Sequence, residues 1–199
     1  MTRPLRRAAF LTPFTTALLT ACGGGGPLGT SDTIANPAGA TGQKLSYAYF
    51  QKCVNPVLSK PVTAVVNGVP TTNTCAAGGC HDTTTGTGGA LRLVGSAPAV
   101  DIALGPAAVR ASDMYKNYYS SLGETVVGSS DQSRLLNKPL VRSVLHGGGV
   151  VLATPDDAAA KTLKYWINRP MPQGQDEFSG AANTMFNPPD PATGACNIE

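Results

Sequence analysis

The stretch Cys75-Ala76-Ala77-Gly78-Gly79-Cys80-His81 decides how this chain is read, together with His146-Gly147-Gly148-Gly149 downstream. The 199 residues include only two histidines, and each lies in one of these motifs. Two cysteines followed directly by a histidine is the arrangement that ties a haem covalently to a polypeptide. The thiols add to the vinyl groups, and the histidine takes the iron from one side. A second histidine far along the chain is then available for the opposite face. On this reading Cys75, Cys80, His81 and His146 bind the cofactor, one haem c, with His81 and His146 as the metal ligands.

The spacing departs from the usual motif, which has two residues between the cysteines where this chain has four. The extra residues must bulge if both thiols are to reach one porphyrin, and Gly78 and Gly79 permit a bulge because positive φ costs glycine little. Other readings of the same residues stay open. Cys75 and Cys80 form a disulfide across a small loop in one of them. In another, Cys75, Cys80, His81 and His146 count four zinc ligands, although adjacent Cys80 and His81 rarely aim at one tetrahedral centre. His81 is otherwise a loop histidine, and His146 an exposed histidine in a glycine-rich turn. Met171, in a Met-Pro pair, competes with His146 for the sixth position.

Outward from the cysteine motif, Leu45 to Leu58 reads as a helix, with Leu45, Tyr49, Phe50, Val54, Val57 and Leu58 at three- and four-residue spacings. Pro56 kinks its last turn or ends it early. Asn67-Gly68 between β-branched residues predicts a hairpin, inserted between that helix and the cysteines. Ser112 to Leu122 predicts a helix capped by Ser112. Ser133 to Leu136 predicts a short helix, and Pro155 to Asn168 a longer one that opens on Asp156 and Asp157 and stops at Arg169-Pro170. No nucleophile elbow, phosphate loop or zinc-protease helix is present, so no enzymatic activity is expected. The carboxylate pair Asp156-Asp157 suits a helix start better than acid–base chemistry.

With these segments in place, the chain resembles the cytochrome c domains of planctomycete-type envelope proteins. Three colinear segments carry the resemblance. Tyr49-Phe50 to Val54, then Pro56-Val57-Leu58, is similar to the helix before the haem motif. Cys75 to His81, then Gly88-Gly89-Ala90-Leu91-Arg92-Leu93, is similar to the haem motif and its "Gly-Gly-Leu-Arg-Leu" sequel. Ser133-Arg134-Leu135-Leu136-Asn137-Lys138-Pro139, His146-Gly147-Gly148-Gly149 and Lys164-Tyr165-Trp166-Ile167 are similar to the family's closing segments. The resemblance spans roughly residues 45–170. It implies a mostly α fold: a small cytochrome c-like domain of several short helices with long loops and one small β-hairpin insertion. It also implies an electron carrier with a redox protein as partner.

At the N-terminus, Arg3, Arg6 and Arg7 precede an apolar run from Ala8 to Leu19, too short for a membrane span. Leu19-Thr20-Ala21-Cys22 looks like a bacterial lipobox, which makes Cys22 the lipidation site and the membrane a partner through the acyl chains. The expected location is the bacterial cell envelope, at the outer membrane facing the periplasm or the cell surface. Expected boundaries are a signal peptide over 1–21, a flexible tether over 22–43, the cytochrome c-like domain over 44–172 and an irregular C-terminal tail over 173–199. Such a tether reaches roughly 25 Å root-mean-square. Fifteen basic residues face twelve acidic ones. Loss of Arg3, Arg6 and Arg7 leaves a formally neutral chain, which argues against nucleic acid.

Cysteine arithmetic closes the reading. Lipidation uses Cys22 of the five cysteines. If Cys75 and Cys80 hold haem, Cys53 and Cys196 remain as a disulfide pair. The count fits two disulfides equally well. The runner-up is therefore a non-haem envelope lipoprotein, stabilised by disulfides and acting as a binding or structural subunit.

Overall fold

A computed structural model describes residues 42–199. The expected signal peptide, Cys22 and nearly all of the expected tether lie outside these described residues. Among the described residues no helix is long and apolar enough to cross a membrane.

The chain enters through one helical run in three parts. Helix α1, Tyr47–Tyr49, passes into a π-helical stretch, Phe50–Val54, and continues as helix α2, Asn55–Ser59. Ser46 caps the start, its Oγ accepting the Tyr49 amide at 3.0 Å. Of the two outcomes expected at Pro56, an early end does not occur. Proline has no amide to donate, and the turn before it widens, the Asn55 amide reaching the Phe50 carbonyl. The helix then resumes to Ser59, with Pro56 in its first turn. Leu45, Tyr47, Tyr49, Phe50 and Val54 are all fully buried, so this run is the spine of the core.

Strands β1, Val62–Val66, and β2, Val69–Asn73, pair antiparallel with Val66 opposite Val69. Asn67 and Gly68 have φ of 51° and 80°, the two left-handed residues of a tight hairpin turn. The expected hairpin is thus present. Helix α3, Pro106–Arg110, has no counterpart in the sequence reading. It follows Gly105, at φ 88°, with proline in its first turn. Helix α4, Asp113–Leu122, starts on Ser112, whose Oγ accepts the Tyr115 amide. Helix α5 is Arg134–Asn137. Helix α6, Ala158–Asn168, begins three residues later than expected. Thr154 to Asp157 instead forms the lead-in, with the Asp157 carboxylate accepting the Thr154 amide at 3.1 Å.

An aromatic cluster joins these helices. Phe50 meets Trp166 and Tyr118 at centroid distances of 5.3 and 5.6 Å. Tyr47 meets Tyr115, Tyr118 and Phe178 at 5.8, 5.6 and 5.5 Å. Each buried polar tip finds a partner: Trp166 Nε1 donates to the Ser46 carbonyl, and Tyr118 Oη to that of Leu45. Asn117 of α4 ties α2 and the loop at Val94 together, donating to Asn55 and the Val94 carbonyl while accepting the Val94 amide.

Residues 173–199, expected as an irregular tail, are irregular in large part yet belong to this core. Met185 and Phe186 are buried. Strands β3, Phe186–Asn187, and β4, Ala195–Cys196, form a second small antiparallel pair. Cys53 and Cys196 are disulfide-bonded, with Cα atoms 6.0 Å apart. The described residues therefore form short helices, long loops and two small hairpins, where the sequence suggested one.

Glu177 anchors the same segment. Its carbonyl accepts the Tyr47 amide, and its buried carboxylate accepts from Arg110 Nε at 3.0 Å and Tyr115 Oη at 2.8 Å. Burial alone would raise its pKa. Hydrogen bonds from its own amide, Tyr115 and Arg110 outweigh that and hold it below the ordinary carboxylate value. A depressed folded pKa contributes stability above the unfolded value and loses it as pH falls through the folded one. Glu177→Gln is expected to lower unfolding stability at pH 7 by about 2 kcal/mol, less than a fully buried pair because Arg110 is half in water. It should also flatten the fall in stability below about pH 4.5. Urea titrations from pH 7 to pH 3 check this; equal midpoints for both proteins at pH 7 would refute it.

Candidate functional site

The loop from Cys75 to His81 is folded by its own backbone. The Cys80 amide donates to Ala77 O at 3.0 Å, and the His81 amide reaches back to Cys75 O at 2.9 Å. Gly79 takes φ 80°, a left-handed conformation that costs glycine little, whereas Gly78 is not left-handed. The strand-like segment after it closes the loop, the Leu93 amide donating to His81 O at 2.7 Å. Cys75 and Cys80 are both half-buried free thiols. Burial, and after it the neighbouring Cys80, pushes the Cys75 thiol up to about 11, so it is uncharged at neutral pH.

Gly88 has a steric reason to be glycine. A Cβ there would run into the His81 ring and the Cys80 carbonyl. Its amide donates to Cys80 O at 2.7 Å, so the backbone lies flat against the imidazole. Gly89, at φ 81°, then turns the chain toward Leu91. His81 Nδ1 lies 3.2 Å from the Leu91 carbonyl.

On the other side of the cavity, His146 Nδ1 lies 2.8 Å from the Gly149 carbonyl. A carbonyl only accepts, so each contact calls for the proton on Nδ1. In the neutral imidazole that leaves Nε2 as the bare nitrogen, the one able to bind a metal. Burial lowers the His81 pKa, and the nearby His146, Lys138 and Arg92 push the same way, against the Leu91 carbonyl. Both effects favour the neutral imidazole, the form that ligates.

The two rings stand 6.2 Å apart, centre to centre, with planes only 9° from parallel. Two imidazoles bound through Nε2 to opposite sides of one metal, at about 2.0–2.1 Å each, have ring centres roughly 6 Å apart. Both histidines and both thiols line one cavity of about 460 Å³. A smaller hollow shares Cys75, His81 and His146 and extends the space toward Leu91 and Leu135. The chemistry of the donor set would suit a haem: two imidazoles that could ligate iron, two free thiols beside the first of them, and glycine backbone at Gly88, Gly147 and Gly148 lining the same cavity.

Zinc fits less well. Among the described residues no group of three or more histidine, cysteine or carboxylate side chains is gathered closely enough to hold a metal ion. A porphyrin asks for only two protein ligands. Met171 is buried in the core, its amide bonded to the Lys44 carbonyl, and it does not line the histidine cavity. Tyr165 and Trp166 are core residues as well.

Two contributors escaped the sequence reading. Lys138 is half-buried, lines both hollows and has no carboxylate within salt-bridge reach among the described residues. The hairpin also reaches the site, with Val62, Ala64 and Val65 forming part of the cavity wall. Lys138 lies in the Leu-Leu-Asn-Lys-Pro segment already singled out, but nothing local in that segment says which way its ammonium faces. No protein family, curated protein or solved structure matches this chain.

Proposed function

We propose that this chain is a c-type cytochrome of the bacterial cell envelope, carrying electrons through one covalently bound haem with His81 and His146 as axial ligands. The observation that carries the reading is the pair of parallel imidazoles 6.2 Å apart, each with Nδ1 turned to a backbone carbonyl. When bound, haem supplies a one-electron couple at iron. The protein's part is to hold both axial imidazoles in the ligating tautomer and to offer Cys75 and Cys80 for attachment. Lys138, at the wall of the cavity, would offer a positive charge to the haem's carboxylates. With both axial positions filled by side chains, the reading favours electron transfer to and from a redox protein over oxygen or peroxide chemistry.

The spin state tests the ligand pair. The mature protein is expected to be low-spin in both oxidation states. His146→Ala should give high-spin iron that binds carbon monoxide, whereas His81→Ala should impair maturation itself. Methionine ligation raises the potential relative to bis-imidazole, so His146→Met should shift it upward. A His146→Ala protein with the spectrum and potential of the parent would remove His146 from the site. A matured protein without any haem band would leave the non-haem lipoprotein reading.

The anchor belongs to the same proposal and rests on the lipobox-like run ending in Cys22. Cys22→Ser should release the protein from membranes or leave its precursor uncut. Normal processing with unchanged membrane association would sink the lipid anchor.

A further inference from the structure

We propose that hairpin β1–β2 is the device that positions His146, acting through the outward-facing amide of Val65. The inference rests on the haem reading for its consequence at iron, but its geometry is independent of it. In a two-residue hairpin closed by the Val66–Val69 pair, alternate residues of β1 turn their amides away from β2. Val65 is one of these, in the non-hydrogen-bonded pair with Pro70. Its amide is therefore free for a partner outside the hairpin. That partner is the His146 loop: the Val65 amide donates to the Gly148 carbonyl at 2.9 Å.

The loop touches the hairpin closely. A Cβ on Gly148 would lie 3.7 Å from Ala64 Cβ, and one on Gly149 would lie 3.6 Å from Val65 Cγ2. The loop's own contacts set the ring: Gly149 accepts from His146 Nδ1, and the Gly149 amide donates to the His146 carbonyl. Its far end is fastened by the Val151 and Leu152 amides to the Pro139 carbonyl. Between those fastenings Leu145 is 88% exposed and Val150 57% exposed, so the tip has no core burial to hold it. The bond from Val65 is therefore what ties the tip to the rest of the domain. Val65 is a positioning residue: its amide acts on Gly148, and through Gly148 on His146.

Val65→Pro tests this, because it deletes the one donor at an edge position that tolerates proline and leaves the β1–β2 ladder intact. Val65→Ile keeps the amide and serves as the control. Without reference to haem, hydrogen exchange of the Gly149 amide is expected to quicken at least tenfold in Val65→Pro and to stay at the parent rate in Val65→Ile. In matured protein, Val65→Pro should show a high-spin fraction and bind carbon monoxide, which the low-spin parent does not. Parent-like exchange in Val65→Pro overturns the inference whether or not haem is present. A parent that never takes up haem defeats the functional reading alone, since the exchange result still decides the role of the hairpin. Loss of the near-ultraviolet signature of Trp166 in Val65→Pro would also overturn it, showing that the hairpin holds the whole domain and not the His146 loop.

Discussion

Protein matured in a host that attaches haem is expected to keep its haem through acid–acetone extraction, and Cys75→Ala with Cys80→Ala to lose all of it. The expectation comes from chemistry at the site. Both thiols are reduced, line the cavity that holds the two imidazoles and flank a loop whose backbone is closed on itself. Within the four-residue spacing Gly79 sits in the left-handed region, so Gly79→Val should also lower the yield of attached haem. Each single cysteine variant should retain one thioether and part of the stain. The double variant retains only the axial nitrogens and should release its haem to acid. Mass spectrometry is the check. A Cys75–Cys80 disulfide in protein from a competent host would refute attachment, whatever else binds in the cavity.

The residues of this candidate site were legible in the sequence because its motifs are local. A cysteine–cysteine–histidine run and a histidine followed by three glycines carry their chemistry within a few residues. Caps were equally local: Ser112 and the Asn67-Gly68 turn stand where the sequence put them. The missed features depend on contacts between distant segments. Lys138 matters through the cavity it faces, and the hairpin through a single amide reaching Gly148. Helix α3 carries only a short local signal, Gly105-Pro106 before a five-residue helix. The C-terminal segment misled for a compositional reason. Gly, Pro and Asn make it irregular, and its buried residues, Ala182, Met185 and Phe186, follow no helical or strand period over any useful length. Only Cys196 signalled that the segment returns to the core, and that signal was a count of cysteines and not a pattern.

Replacing both Cys53 and Cys196 by alanine should have the largest effect on stability of any substitution away from the site. The bond joins the π-helical turn of the first helical run to strand β4 across a sequence separation of 143 residues. In the chain-entropy model, closing a loop of that length removes unfolded-state freedom worth about 5 kcal/mol. Local contacts offset none of that, because they act on the folded state: Lys52 Nζ donates to the Pro191 and Ala192 carbonyls at 2.9 Å and sits 5.6 Å from the Phe186 ring centre. They do predict how the variant fails. Residues 173–199 keep Glu177 and the buried Met185 and Phe186 in the folded state, so the doubly substituted protein should still fold at low temperature. Its unfolding free energy should drop by about 3–5 kcal/mol. Limited proteolysis should cut first in the stretch near Asp190, where the strand pair loses its covalent tie. Denaturant titration in parallel with reduction of the parent separates the two contributions, since reduced parent and double variant should coincide. If instead the double variant unfolds with the midpoint of the oxidised parent, the C-terminal segment is held by its packing alone, and the entropic role given to this disulfide is wrong.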